Sequence, residues 1–571
     1  MTPNRARGQA QPSSLKRYVP ILAWLPRYRG TWLRLDLLAG ISAWGITVPT
    51  AMGFAQMAGL PVQAGLYAAM VALFAYAVFG TSRLLKVETS PAMAVMSAAV
   101  VAPLALGDYA YYVTLSAALA LVVGLILIGA GLARMGFLAD FLAKPVVTGF
   151  LFGLALLVII GQLPSLLGLP SGNGSAFNQL WQLITSLGDT NPWTLVVSLI
   201  SLLILLLFRR YAPTLPGALV VIALSILAVA VFNLGDLGVG VVGPIPTGIP
   251  TPRIPLMRPY DLLFLLLGAM AMVFVALGES LGTARTFAAE HRRQINTDQE
   301  LLALGVANLS AGLMRGFAVG ANPGATASAN AARTKTQVAS IVTAVLILLT
   351  YTTQVEILGL LPQAVVTVAV IVSVSRLLNL AELRRFYRSR KIDFGLAIVT
   401  LLGVFFTGIL PGLMMAVFLS LLIVLYRSSR PHLAVLGKIP GHMAYGDVEE
   451  NPDAEQIPGL LILRPDVALF FANANTLHGQ IGSLVSNSPE PLKAVIIDLG
   501  ASADLDIACT DMLGNLVDEL GEVGIRLLLA DVKRAARARL EGTGLLERIG
   551  AENIYLRVPE AVEGVRRQEG V

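Results

Sequence analysis

Glu279 ends an unbroken apolar run of 17 residues, Leu262 to Gly278. A carboxylate so placed costs at least about 2.5 kcal/mol if it faces lipid, so it must face protein or a watery cavity. There it would carry charge-coupling chemistry: protonation would neutralise it, or its oxygens would ligate Na⁺. Thr283, one helical turn later, would add a hydroxyl to the same sodium site. The bland alternative is an interfacial Glu279 paired with Arg285. Two other stretches set polar, Gly and Pro residues inside apolar sequence. One is Lys86-Val87-Glu88-Thr89-Ser90-Pro91-Ala92-Met93; the other runs from Gly316 to Thr326 through Asn322-Pro323-Gly324-Ala325. Helices starting at such breaks would aim free N–H groups and positive dipole ends at one point, which can hold a small anion without a full positive side chain. Glu88 lies two residues from Lys86, so a local pair competes with any role at that site.

Other chemistry finds little support. The four histidines (His291, His432, His442, His478) all lie outside the apolar runs, and neither a His-Glu-x-x-His nor a Ser/His/Asp arrangement is present. The single cysteine, Cys509, excludes an intrachain disulfide and a Cys-based zinc cluster. No Gly-x-Gly-x-x-Gly or P-loop occurs. Enzymatic activity is not expected, and no cofactor beyond a coupling ion. The basic residues form short clusters between apolar runs rather than one stripe on a soluble module, so nucleic acid is not an expected partner.

The elements that must position these residues follow from composition. The chain has 571 residues, 56% hydrophobic and only 13% charged, with a mean hydropathy of +0.73. That is a polytopic membrane protein in contact with lipid; soluble domains carry about 25% charged residues. No signal peptide is expected in the polar, basic stretch 1–35. Leu37–Ser82 is long enough for two spans. Apolar stretches follow at Ala92–Leu106, Tyr111–Leu132, Val146–Leu167, Trp193–Phe208 and Pro213–Phe232. After a Gly/Pro-rich connection come Leu262–Gly282, Glu300–Leu313, Pro323–Ala332, Val338–Thr353, Ile357–Val374 and Phe394–Tyr426, the last long enough for two. The count is about 14, seven on each side of the connection, in repeats 36–232 and 259–427. Alternate connections carry Arg83/Lys86, Arg134/Lys144, Arg209/Arg210, Arg285/Arg292/Arg293, Arg333/Lys335, Arg384 to Lys391 and Arg427/Arg430, which predicts that both ends are cytoplasmic. The two broken segments are third in their sets, the pattern of an inverted-repeat transporter with its site at the breaks. The transporter region is placed at 36–430, a linker at 431–456, and a soluble α/β domain at 457–571. In that domain, strands are expected at Gly459–Leu463, Ala468–Ala472, Ala494–Leu499 and Ile525–Ala530. Helices are expected at Asn475–Val485, Thr510–Gly521, Lys533–Arg548 and Val558–Arg566.

Several runs resemble the sulfate permease (SulP) family. They are Asp36-Leu37-Leu38-Ala39-Gly40, Pro49-Thr50-Ala51-Met52-Gly53-Phe54-Ala55, Ala58-Gly59-Leu60-Pro61, Phe79-Gly80-Thr81-Ser82-Arg83, Glu279-Ser280, and Asn296-x-x-Gln299-Glu300-Leu301 continuing to Asn308. The C-terminal region resembles a STAS domain, including Asp498-Leu499 before Asp504-Leu505-Asp506. The resemblance implies a 7+7 inverted-repeat core and gate, a cytoplasmic STAS domain, a homodimer, and a bacterial inner-membrane location. It also implies transport of a small anion (sulfate, bicarbonate or a dicarboxylate), coupled to H⁺ or Na⁺, with an uncoupled channel or an exchanger as the alternative. By kinship, Ser90, Pro91, Ala92 and Met93 with Asn322, Pro323, Gly324 and Ala325 would bind substrate. Gln56 would line the pocket, and Glu279 would serve cation coupling. Ala325 stands where many members carry an arginine, and Glu88 where many carry a small neutral residue, so both departures make the pocket more negative. The phosphorylated Ser of related stand-alone STAS proteins is replaced by Ile507; Thr510 is expected to cap the helix that follows.

Overall fold

The computed structural model describes residues 18–137, 143–170, 172, 174–211, 217–246, 248, 251–353, 355–442 and 444–568. The basic residues Arg5, Arg7, Lys16 and Arg17 lie outside them, as does Pro213. The chain divides into two units, Met1–Ser420 and Leu421–Val571.

The first half of the membrane unit contains α1 (Gly30–Met57), α2 (Val62–Phe79), α3 (Pro91–Ala105), α4 (Tyr109–Leu132), α5 (Lys144–Leu166), α6 (Pro192–Tyr211) and α7 (Gly217–Phe232). The second contains α8 (Asp261–Glu290), α9 (Thr297–Leu313), α10 (Pro323–Ala331), α11 (Val338–Thr353), α12 (Gln363–Val374), α13 (Lys391–Thr407) and α14 (Ile409–Ser429). Seven helices among the described residues are long and apolar enough to cross a membrane. The expected span Ile357–Val374 is two pieces, Val355–Gly359 and α12, because Pro362 lacks the N–H to continue a helix and stands as the cap of the next one.

The packing repeats when each helix is replaced by the one seven later. The pair α1–α11 matches α8–α4, α2–α11 matches α9–α4, α3–α8 matches α10–α1, and α5–α13 matches α12–α6. Helices α1–α4 and α8–α11 form the core; α5–α7 and α12–α14 form the gate. Small residues set the approach of α4 and α9: a Cβ on Gly124 would lie 2.8 Å from the Gly305 carbonyl oxygen, and one on Gly305 2.8 Å from that of Gly124. Short turns are tied down by buried side chains. The Glu300 carboxylate accepts from the Thr81 and Ser82 N–H groups at 2.8 and 2.9 Å and from Tyr76 Oη at 2.5 Å. Gln337 Nε2 donates to the Ser82 and Leu85 carbonyls.

The second unit carries a six-stranded sheet, ordered β4 (Tyr445–Asp447), β3 (Leu433–Lys438), β5 (Leu460–Pro465), β6 (Ala494–Asp498), β7 (Arg526–Ala530), β8 (Ile554–Tyr555). Strands β5 to β8 run parallel, and β3 joins antiparallel to both β4 and β5. The stretch 431–456, expected as a linker, thus supplies two strands. Helices cover both faces, so β6 is buried throughout.

Ala468–Ala472 is not a strand, because side chains satisfy its backbone instead of a ladder. Leu469 N–H donates to Ser502 Oγ, Phe470 N–H to Asn473 Oδ1, and Phe471 N–H to Asp506 Oδ2. The expected helix 533–548 breaks at Gly544, whose φ of +72° ends Arg534–Gly542 before Leu545–Ile549. Asp506 rather than Thr510 caps the helix Ile507–Glu522, accepting from Cys509 N–H at 2.9 Å; Thr510 donates to the Ile507 carbonyl. Burial pushes the Cys509 thiol up to about 12, leaving it inert.

Two predictions follow from these ties. Replacing Glu300 by Ala leaves several buried donors unpaired and should cost about 3 kcal/mol or more, read as a lower thermal midpoint in detergent; Glu300→Gln should cost less. In the sheet, His432 Nε2 meets Asp447 Oδ2 at 2.9 Å, which raises the His432 pKa and, with the Glu449 N–H, lowers that of Asp447. The histidine's contribution is complete below about pH 6.5 and fades as pH rises through its elevated folded value; the aspartate's is present above about pH 3.9 and lost at lower pH, through its depressed folded value. His432→Ala should therefore lower hydrogen-exchange protection across 433–447 more at pH 5.5 than at pH 8.5.

Candidate functional site

The two breaks meet. Val87–Glu88 (β1) pairs antiparallel with Gly320–Ala321 (β2), placing Val87 opposite Ala321 and Glu88 opposite Gly320. The Asn322 N–H then donates to the Lys86 carbonyl at 2.9 Å. Each strand runs straight into a helix. Ser90 caps α3, its Oγ accepting from Met93 N–H, with Pro91 at the first helical position; Asn322 caps α10, its Oδ1 accepting from Ala325 N–H, with Pro323 in the equivalent place. Residues around them hold the crossing: Ala321 N–H donates to Ser280 Oγ, Lys86 N–H to Thr326 Oγ1, and Val319 N–H to Asn308 Oδ1.

A carboxylate faces each cap. Ser90 Oγ donates to Glu279 Oε2 at 3.2 Å, and Asn322 Nδ2 donates to Glu88 Oε1 at 2.7 Å. Glu279 lies in a π-helical turn, Leu277–Leu281, within α8, a local widening frequent at functional sites. It is 3% exposed, and its Oε1 has no hydrogen-bond partner. That oxygen's side chain borders a space of about 20 Å³ walled by Val147, Phe150, Phe274 and Val417, about the size of one water. Glu279 is buried, while Arg285, six residues on, is exposed. Thr283 is half-buried, and among the described residues the Glu279 carboxylate is bonded to Ser90 and not to Thr283. At Glu88, the Thr47 hydroxyl of α1 lies against the carboxylate, and the buried Thr89 Oγ1 next in sequence has no hydrogen-bond partner. Among the described residues no group of three His, Cys, Asp or Glu side chains could hold a metal.

Pro91, Ala92, Met93 and Ala325 are buried against these caps, whereas Gly324 and Gln56 each border a larger cavity. That cavity, about 280 Å³, lies between core and gate at the end of the helices bearing Arg209 and Arg376. A second of about 690 Å³ at the opposite end contains Gln56, Gln363 and Thr367. The two share no lining residue. Between Thr50 and Gln56 on α1, Gly53 packs so tightly on Val366 and Val370 of α12 that a methyl there would overlap Val370. Gln56 is thus on the far side of this contact from Gly324.

The assembly of these elements has relatives. The sulfate permease family description matches residues 33–400, and the STAS domain description matches 451–561. The chain belongs to the sulfate permease family. It is 35% identical over 551 residues to a probable sulfate transporter of Mycobacterium tuberculosis, covering 96% of this chain and 98% of that one. A chloroplastic sulfate transporter of Arabidopsis thaliana is 29% identical over 568 residues, covering 95% and 82%. Among solved structures, the murine solute carrier 26 family member A9 anion transporter superposes with a TM-score of 0.87 at 22% identity, covering 99% of this chain and 96% of that one. At that identity the shared property is the fold. The protein is a multi-pass membrane transporter with a STAS domain, and not an enzyme.

Much of the sulfate permease signature turns out to be scaffolding. Asp36 accepts from the Lys335 and Thr336 N–H groups at 2.7 and 3.1 Å, Gln299 Nε2 donates to the Phe79 carbonyl, and Glu300 and Asn308 hold the turns above. Sequence reading missed Thr47, Ser280, Gly320 and Arg376. Ser280 and Gly320 were inside quoted motifs, but nothing marked them beyond that. Arg376 resembled one more basic residue ending an apolar run.

The cap contacts are testable as a unit. Asn322→Ala removes both the α10 cap and the donor to a buried carboxylate, and should cost about 3 kcal/mol. In the Glu88→Gln background the same change should cost at least about 1 kcal/mol less, measured as thermal midpoints of the four purified proteins.

Proposed function

We propose that the protein is a secondary active transporter of a small oxyanion or carboxylate (sulfate, bicarbonate or a dicarboxylate), coupled to H⁺ or Na⁺ and working by alternating access. It would lie as a homodimer in the inner membrane of a bacterium, with N-terminus and STAS domain cytoplasmic. The observation carrying this reading is Glu279: a buried carboxylate with one oxygen unpartnered, bonded to the serine that caps α3. An uncompensated charge in a dry site is costly. A proton or a cation arriving with the anion would remove that cost in both conformations. A small oxyanion would take N–H groups at the α3 and α10 starts, once Ser90 and Asn322 turn from their own helices. Glu88, with the Thr47 hydroxyl against its carboxylate, is the second place for a coupling cation. Sodium at Glu279 has Ser90 as its neighbouring oxygen donor and apolar walls beyond, so a proton suits Glu279 better than Na⁺.

The cavities at opposite ends, closed from each other at Gly53 and Val370, supply the geometry for alternating access. The sulfate named in the mycobacterial relative, and the bicarbonate named in a cyanobacterial transporter of similar fold (TM-score 0.60, 68% of this chain), set the first substrates to try. In proteoliposomes with Na⁺ and pH gradients imposed separately, one labelled anion should accumulate under one gradient. Glu279→Gln should abolish gradient-driven accumulation while leaving exchange of pre-loaded anion within about threefold. Flux insensitive to both gradients and to the substitution would assign the protein as a channel or an exchanger.

A further inference from the structure

The cavity of about 280 Å³ at the basic end of the core–gate boundary is lined by two arginines, Arg376 from α12 and Arg209 from α6. The hydroxyl residues Thr50, Ser328 and Ser373 also line it. Its lining contains no carboxylate. Among the described residues neither arginine forms an ion pair, and the charged group close enough to act on Arg376 is Arg209, a like charge. Arg376 Nη1 donates to the Gly324 carbonyl at 3.3 Å, a long bond, and its buried Nε has no partner. Arg209 is exposed, whereas the Arg376 guanidinium is partly buried with no acid in the lining, which leaves its positive charge uncompensated and costly. The guanidinium edge formed by the unpartnered Nε with Nη2 matches the two oxygens of a carboxylate or sulfate. The volume admits such an anion together with several waters of about 30 Å³ each.

We propose that this cavity is an anion-binding antechamber in which Arg376 and Arg209 hold the transported oxyanion before it reaches the α3 and α10 caps. The inference rests on the transport reading above and adds to it a site on the gate. The positive charge absent at Ala325 of the core is supplied by the gate instead. Arg376 also bridges the two parts, because Gly324 belongs to α10. Nη1, which holds the Gly324 carbonyl, lies off the Nε–Nη2 edge, so an anion can occupy that edge while Arg376 stays on α10.

The test combines transport with a direct binding readout on the full-length protein. Labelled sulfate, bicarbonate and succinate are taken up into proteoliposomes by wild type, Arg376→Gln, Arg376→Lys and Arg209→Gln. For the transported anion, Arg376→Gln should raise KM about tenfold with the maximal rate changed far less, and Arg376→Lys should recover most of the loss. Arg209→Gln should shift KM in the same direction. An unchanged KM in a folded Arg376→Gln protein, or a fall in maximal rate alone, overturns the proposal and assigns Arg376 to core–gate packing. If Arg376→Gln does not fold, Arg209→Gln decides by the same criterion. Independently, detergent-purified wild type is treated with phenylglyoxal and mapped by mass spectrometry, with and without inorganic sulfate at matched ionic strength. Protection of Arg376 and Arg209 by sulfate supports the antechamber even if no anion in the panel is transported, which would count against the transport reading alone. Equal modification with and without sulfate overturns the antechamber.

Discussion

Backbone N–H and C=O groups deep in a membrane must find partners within the protein. In this chain that requirement falls on two extended stretches, and they satisfy it by pairing with each other. The β1–β2 ladder is only two residues long, yet it brings the starts of α3 and α10 together from opposite halves of the chain. Everything proposed for the site depends on this crossing. It aligns Ser90 with Glu279 and Asn322 with Glu88, and it explains why Ser280, Thr326 and Asn308 each spend a side chain on backbone groups nearby.

The repeat gives the crossing its symmetry, and the side chains break it. Both helices start with a capping residue followed by proline, but the carboxylate facing the first cap comes from α8 and that facing the second from β1. One carboxylate has apolar walls beyond it; the other has the Thr47 hydroxyl of α1 against it. Equivalent backbone positions therefore offer different chemistry, as a site that must hold an anion and a coupling cation requires.

Core and gate divide the remaining work. The core holds the helix caps, while the gate closes the route with Val366 and Val370 against Gly53 and presents Arg376 to the α10 end. A glycine on α1 is needed because any side chain would separate the two surfaces. On the basic side Gly324, next to the Asn322 cap, already borders the cavity.

Much of this was legible in the residue order. Apolar run lengths and the spacing of Arg and Lys marked the segments, because the bilayer imposes length and the charge bias imposes orientation. The Ser90-Pro91 and Asn322-Pro323 pairs announced two helix starts, and the 17-residue apolar run made Glu279 conspicuous. The strand expected at Ala468–Ala472 failed because Ser502, Asn473 and Asp506, distant in sequence or unmarked, satisfy its backbone. Likewise 431–456 was polar enough to pass for a linker, since its strands are short, six and three residues, and are set among charged and turn-forming positions. What sequence by itself determined was the membrane architecture, the repeat, the family and the helix starts, all properties carried by local composition and spacing. Only the tertiary structure decided that Gln56 and Gly324 belong to different cavities, that Glu279 meets Ser90, and that Arg376 stands over α10. These are contacts between residues up to 189 positions apart, and no local pattern encodes which distant side chains a fold brings within hydrogen-bonding reach.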